Sequence, residues 1–170
     1  NGAGKTTLIN IVSGVFAPSN GEVYFKSESI SRLPAHKIFH LGISRTFQKI
    51  QLFPNITVLE SLLLGVQERR NLRGLDRLRS HSKDEYEMAM ASLEFVGLTR
   101  FAQESPAHLS YGQQKLMDFA ITLISRPEIV CLDEPAGGVN PTMIEEIKDF
   151  IRHVNEAGTT FILIEHQITL

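Results

Sequence analysis

The chain has 170 residues, 42% of them hydrophobic, which is enough apolar content for one domain with a real core. A formal net charge of −2 lacks the basic excess that a nucleic-acid-binding domain usually carries, so no nucleic-acid partner is expected. No run approaches the roughly 20 apolar residues that cross a bilayer. The single cysteine, Cys131, cannot make an internal disulfide and sits in an apolar run, where a buried thiol in a reducing compartment is expected.

Along the chain, Thr6 to Gly14 has apolar residues at helical spacing and ends on glycine, which predicts a short helix directly after a glycine loop. The turn Pro18-Ser19-Asn20-Gly21 then leads into Glu22-Val23-Tyr24-Phe25, which alternates like a strand. Farther on, Thr57-Val58-Leu59-Glu60 and Ser82-Lys83-Asp84-Glu85 both fit the capping box, in which hydroxyl and carboxylate each satisfy a free amide at a helix start. Two helices are expected to begin there, and a third is expected over Gln113 to Ile124. Ile129-Val130-Cys131-Leu132 is a short apolar run ending in Asp133-Glu134, the pattern of a strand buried on both faces. Asn140 as N-cap and Pro141 at the first helical position open a helix with Ile144, Ile147, Ile151 and Val154 on one face, closed by Gly158. Thr159 to Ile164 is another apolar strand, ending at Glu165-His166. Strand, helix, strand in this order implies a parallel α/β sheet with its polar residues at the carboxyl edge, where such folds bind ligands.

Several short stretches carry chemistry. Gly4, Lys5 and Thr6 are the second half of the phosphate loop G-x-x-x-x-G-K-[ST], whose amides cradle phosphates while the hydroxyl holds Mg²⁺. An ordinary glycine turn before a helix would look the same. Asp133 followed by Glu134 at a strand end suits a metal ligand beside a base for water, although acidic strand ends are commonly just solvated. His166 ends the next strand, where a structural hydrogen bond is the plainer reading. Gln48 in Arg45-Thr46-Phe47-Gln48 needs no explanation by itself. Leu109-Ser110-Tyr111-Gly112-Gln113-Gln114 sets a hydroxyl and a glycine at a helix start, which suits a phosphate. Two phosphate-binding helix starts for one nucleotide suggest a dimer in which each site draws on both subunits.

Taken together, the chain resembles the ATP-binding subunit of ABC transporters. NGAGKTT (Asn1, Gly2, Ala3, Gly4, Lys5, Thr6, Thr7) is similar to the Walker A motif and RTFQ to the Q-loop. LSYGQ (Ser110, Tyr111, Gly112, Gln113) is similar to the signature, EIVCLDE to Walker B with its catalytic glutamate, GGVNP to the D-loop and IEH to the switch histidine. All six occur in the family's order. Within the family, LPAHKIFHLGISRTFQ, LFPNITVLESLLLG and DEPAGGVNP resemble the branched-chain amino acid importer ATPases of the LivG type. Tyr111 and Asn140 depart from the commonest ABC pattern and look familiar in that branch.

The resemblance implies an α/β P-loop NTPase core of RecA-like, ABC type over residues 1–170, with an inserted helical subdomain at roughly 51–109. Its cofactors would be ATP and Mg²⁺. Lys5 and the loop amides would bind phosphate; Thr6, Asp133 and Gln48 would hold Mg²⁺; Glu134 would polarise the attacking water; His166 would contact the γ-phosphate. The implied partners are a second ATP-binding subunit, transmembrane permease subunits and, indirectly, an extracytoplasmic solute-binding protein. That places the protein at the cytoplasmic face of the membrane, with Lys49 to Asn55, Phe53 above all, in the groove that meets the permease. The run Arg69, Arg70, Arg73, Arg77 and Arg79 reads as a solvated loop or a lipid contact. A different importer, a translation factor or a DNA-repair head would share the ATPase core. The repair type inserts a long coiled coil that has no counterpart here. A nucleotide kinase would have no use for LSYGQ. The first loop glycine and the strand that normally precedes it are not in the sequence, so the chain is expected to be a fragment starting inside its own Walker A loop. It would lack the N-terminal strands and the C-terminal end, bind ATP poorly and be inactive alone.

Overall fold

A computed structural model describes residues 3–46, 53–69 and 81–165. The first element is helix α1 (Lys5–Val12), entered through Gly4 at φ 78°, a left-handed position that glycine adopts without a Cβ penalty. The strand expected at Glu22 to Phe25 is shorter, β1 (Tyr24–Phe25), and folds back on β2 (Glu28–Ser29). Lys26 and Ser27 both hold positive φ, 49° and 68°, the twist that joins two antiparallel strands through a two-residue loop. No glycine or asparagine marks this hairpin, so its second strand has no sequence signal.

After α2 (Ala35–His40) and β3 (Ile43–Arg45), both expected helices start at capping boxes. Helix α3 (Val58–Arg69) begins where Thr57 N–H donates to Glu60 Oε2 at 2.6 Å and Glu60 N–H to Thr57 Oγ1 at 3.1 Å. Helix α4 (Lys83–Phe95) begins with the same pair of bonds between Ser82 and Glu85. Helix α5 (Tyr111–Ile124) starts two residues before the expected Gln113. Ser110 is its N-cap and Gln113 its third residue, which closes another capping box. Tyr111 and Gly112 therefore lie inside the first turn. Strand β4 (Ile129–Asp133), helix α6 (Pro141–Glu156, capped by Asn140) and strand β5 (Thr160–Ile164) follow as the pattern implies.

The strands β3, β4 and β5 form a parallel sheet in that order, with Arg45 opposite Cys131 and Asp133 opposite Ile164. Strand β4 is apolar from Ile129 to Leu132 because both its faces are covered. Val130 and Leu132 enter a cluster with Leu62, Leu93, Met117 and Phe119 from α3, α4 and α5, whereas Cys131 enters one with Ile9 of α1 and Ile38 of α2. The Cys131 thiol is buried and free, and burial pushes its pKa up to about 11, as expected of an inert structural cysteine. On β5, Ile164 is buried while Ile162 and Leu163 are partly exposed, so that strand is less enclosed than its composition suggested. Parallel register brings the carboxyl ends of all three strands, with Arg45, Asp133 and Glu165, to one edge of the sheet.

Candidate functional site

The start of α1 has no side-chain cap, in contrast to α3, α4, α5 and α6, and no acidic residue in its first turn, in contrast to α3 and α4. Lys5, Thr6 and Thr7 are exposed there. An uncapped helix start with an exposed lysine and two hydroxyls suits a phosphate.

Behind it lies a buried polar link that the sequence gives no reason to expect. Arg45, at the end of β3, donates from Nη1 to Asn10 Oδ1 of α1 and to Ser13 Oγ at 3.3 Å. Its Nη2 meets Asp133 Oδ2 at 3.3 Å, with both side chains buried. Arg45 thus ties the phosphate-site helix to the end of β4. Among the described residues, Asp133 Oδ1 is also buried but has no hydrogen-bond partner. A buried carboxylate oxygen left this way is costly unless something binds it. No group of three His, Cys, Asp or Glu side chains able to cage a metal occurs among the described residues. Mg²⁺ held by one or two protein groups plus phosphate oxygens needs no such cage, so the donor set fits it.

Glu134, one residue on, has φ 54° and donates its N–H to Ile164 O at 2.9 Å. Its carbonyl and that of Pro135 accept from Lys115 Nζ of α5, at 3.1 and 3.3 Å. Burial lowers the pKa of Lys115, an effect opposed by Glu165, Asp118 and Glu134. Asp118, one turn farther along α5, is pushed up to about 6, mainly by burial and against the pull of Lys115. A 30 Å³ cavity, room for a single water, lies among Thr46, Lys115, Asp118, Asp133 and Pro135.

The signature residues Ser110, Tyr111, Gly112 and Gln113 form the N-terminal turn of α5. Tyr111 is 46% exposed. Its ring lies against Gly138, where a Cβ would sit 3.0 Å from Tyr111 Cε1 and where a φ of 75° favours glycine. Of the expected site residues, Asn1, Gly2, Gln48 and His166 fall outside the described residues, as do Lys49 to Leu52 of the expected docking stretch. Ala3, Gly4, Lys5, Thr6 and Thr7 are brought to the exposed end of α1, Asp133 and Glu134 to the end of β4, and Ser110 to Gln113 to the start of α5. A cavity of 720 Å³ between α4, α5 and α6 lies at the opposite, amino end of the strands, beside Glu128 and Thr159, away from all of these.

A parallel sheet with a phosphate-binding helix start at its carboxyl edge, next to a strand-end aspartate, defines a P-loop nucleotide-binding core. The chain belongs to the ABC transporter family, whose model matches residues 1–137. It is similar along its whole length to the high-affinity branched-chain amino acid transport ATP-binding protein BraF of Pseudomonas aeruginosa, at 40% identity and covering 69% of that protein. The corresponding LivG protein of Escherichia coli is 34% identical, again over all of this chain and 69% of the relative. Among solved structures, the ADP conformation of MJ1267, an ATP-binding cassette of an ABC transporter, superposes with a TM-score of 0.84 at 32% identity, covering 99% of this chain and 68% of that one. The dimeric cassette MJ0796, bound to ADP and Pi after hydrolysis, gives 0.82 at 28% identity, covering 97% of this chain and 71% of that one. The fold is therefore the ABC-type P-loop core, and the protein is an ATP-binding, ATP-hydrolysing subunit of a transporter. Among the described residues no helix is long and apolar enough to cross a membrane.

Proposed function

We propose that this chain hydrolyses ATP to drive an importer of branched-chain amino acids. The observation that carries the ATPase chemistry is the link from α1 through Asn10 and Arg45 to Asp133, which fixes a phosphate site beside a buried carboxylate with an unused oxygen. The choice of solute is supported by BraF and LivG, whose likeness extends over the whole chain.

In this reading Lys5 and the amides from Asn1 to Thr7 hold the phosphates, and Thr6, Asp133 and Gln48 hold Mg²⁺. The ion, when bound, neutralises charge on the transferred phosphoryl group. Glu134 orients the attacking water and His166 contacts the γ-phosphate. Ser110 to Gln113 complete the nucleotide site of a second ATP-binding subunit. The dimeric state of MJ0796 supports such pairing. We assign residues 1–170 to one ATP-binding domain with a helical subdomain at about 51–109, seated on transmembrane permease subunits at the cytoplasmic face and served by an external solute-binding protein.

The permease contact is placed at Phe53, which is 59% exposed and so is not a core residue. Phe53→Ala is expected to change the melting temperature by no more than about 2 °C, as for other surface substitutions. Solute uptake by the assembled transporter should nevertheless fall several-fold, because a buried aromatic anchor is typically among the costliest contacts to lose. Thermal melts and uptake measured side by side check this; unchanged uptake, or a large loss of stability, would refute the docking role.

A further inference from the structure

Glu134 stands in a left-handed conformation, φ 54°, that non-glycine residues rarely keep unless their surroundings hold them there. Part of the hold comes from the turn itself and from the end of β5 beside it. Glu134 N–H donates to Ile164 O at 2.9 Å, Gly137 N–H to Glu134 O at 3.0 Å, and Ala136 N–H to Glu165 Oε1 at 3.0 Å. The rest comes from α5. Lys115, in the second turn of α5, sends its ammonium to the carbonyls of both Glu134 and Pro135. That ammonium lies 5.6 Å from the centroid of the Tyr111 ring, and the ring in turn packs on Gly138. Helix α5 thus grips the turn at both ends, by a charge at 134–135 and by a ring at 138.

We propose that Lys115 is a positioning residue for ATP hydrolysis, holding the Glu134-Pro135 peptide in the left-handed turn from which the Glu134 carboxylate acts. This rests on the reading of Glu134 as the water-orienting base. It also joins two nucleotide sites within one chain. The helix whose first turn serves the partner subunit's nucleotide sets the base for its own, so displacement of α5 on closure reaches Glu134 through one side chain.

A merely structural role, in which Lys115 only balances Asp118 and Glu165, would cost stability and leave the turnover of folded protein alone. The test is steady-state ATPase activity of the assembled transporter carrying Lys115→Met, Lys115→Arg, Glu134→Gln, or Lys115→Met with Glu134→Gln. Lys115→Met should lower kcat about 10- to 100-fold with KM for ATP within about twofold, as for a group that orients the reacting machinery without binding substrate. Lys115→Arg should restore most of the rate. In the Glu134→Gln background the methionine should cause no further loss, since both act through one carboxylate. Hydrogen exchange at the amides of residues 134–138 should quicken in Lys115→Met while the amides of β4 stay protected. If the methionine variant fails to fold, Lys115→Gln is read by the same criteria. A wild-type kcat in Lys115→Met, or a loss that adds in full to that of Glu134→Gln, overturns the proposal. Glu134→Gln turning over at the wild-type rate instead overturns the base assignment beneath it.

Discussion

In the assembled transporter, Glu134→Gln is expected to bind ATP normally, to turn it over at least about 10²-fold more slowly, and to accumulate the closed nucleotide-bound dimer, because it removes the carboxylate proposed to orient water. The substitution is nearly isosteric. The backbone bonds that hold residue 134, to Ile164, Gly137 and Lys115, do not involve the side chain and survive it. Loss of turnover can therefore be separated from loss of structure by measuring nucleotide affinity and hydrolysis on the same preparation. Near-normal hydrolysis would remove Glu134 from the chemistry.

Arg45→Met is expected to have the largest effect on stability. The Arg45 and Asp133 side chains are 8% and 1% exposed, so removing the guanidinium leaves the carboxylate buried without its ion-pair partner. Breaking a buried pair in this way costs about 3–5 kcal/mol. For a domain of this size that lowers the melting temperature on the order of 10 °C. Asn10 loses its bond to the same guanidinium, so Mg-ATP affinity should fall as well. Adding Asp133→Asn to Arg45→Met should recover much of the stability but none of the hydrolysis, since the second change relieves the buried charge while removing the proposed metal ligand. Thermal melts of the single and double variants check the first point and ATPase assays the second. Equal melting of wild type and Arg45→Met would show that the ion pair is not what holds β3, β4 and α1 in register.

What could be read from the sequence was what neighbouring residues settle among themselves. The capping boxes at Thr57 and Ser82, the Asn140-Pro141 helix start and the doubly buried β4 are each decided within a few positions, and each stands as expected. So is the start of α5, which lies two residues before the expected Gln113 because the Gln113 side chain bonds back to the Ser110 amide and closes a capping box. The hairpin turn at Lys26-Ser27 was invisible because its residues are not the glycine or asparagine such turns usually use. Arg45 and Lys115 escaped for a different reason. Arg45 meets Asp133 across 88 positions of sequence and Lys115 meets Glu134 across 19, and no local pattern announces a long-range partner. The six motifs supply the residues proposed to face nucleotide, while Arg45 and Lys115, which brace some of them, became legible only in the fold.

The central claim is that ATP turnover by this chain powers uptake of branched-chain amino acids. Its most direct test is uptake of labelled leucine into proteoliposomes that hold the assembled transporter, with ATP on the cassette side and the solute-binding protein opposite. The expected result is ATP-dependent accumulation, competed by isoleucine and valine and abolished by Glu134→Gln. Accumulation that proceeds without ATP, or that survives Glu134→Gln, would contradict the claim, as would ATP-driven uptake of some other solute with no response to these three.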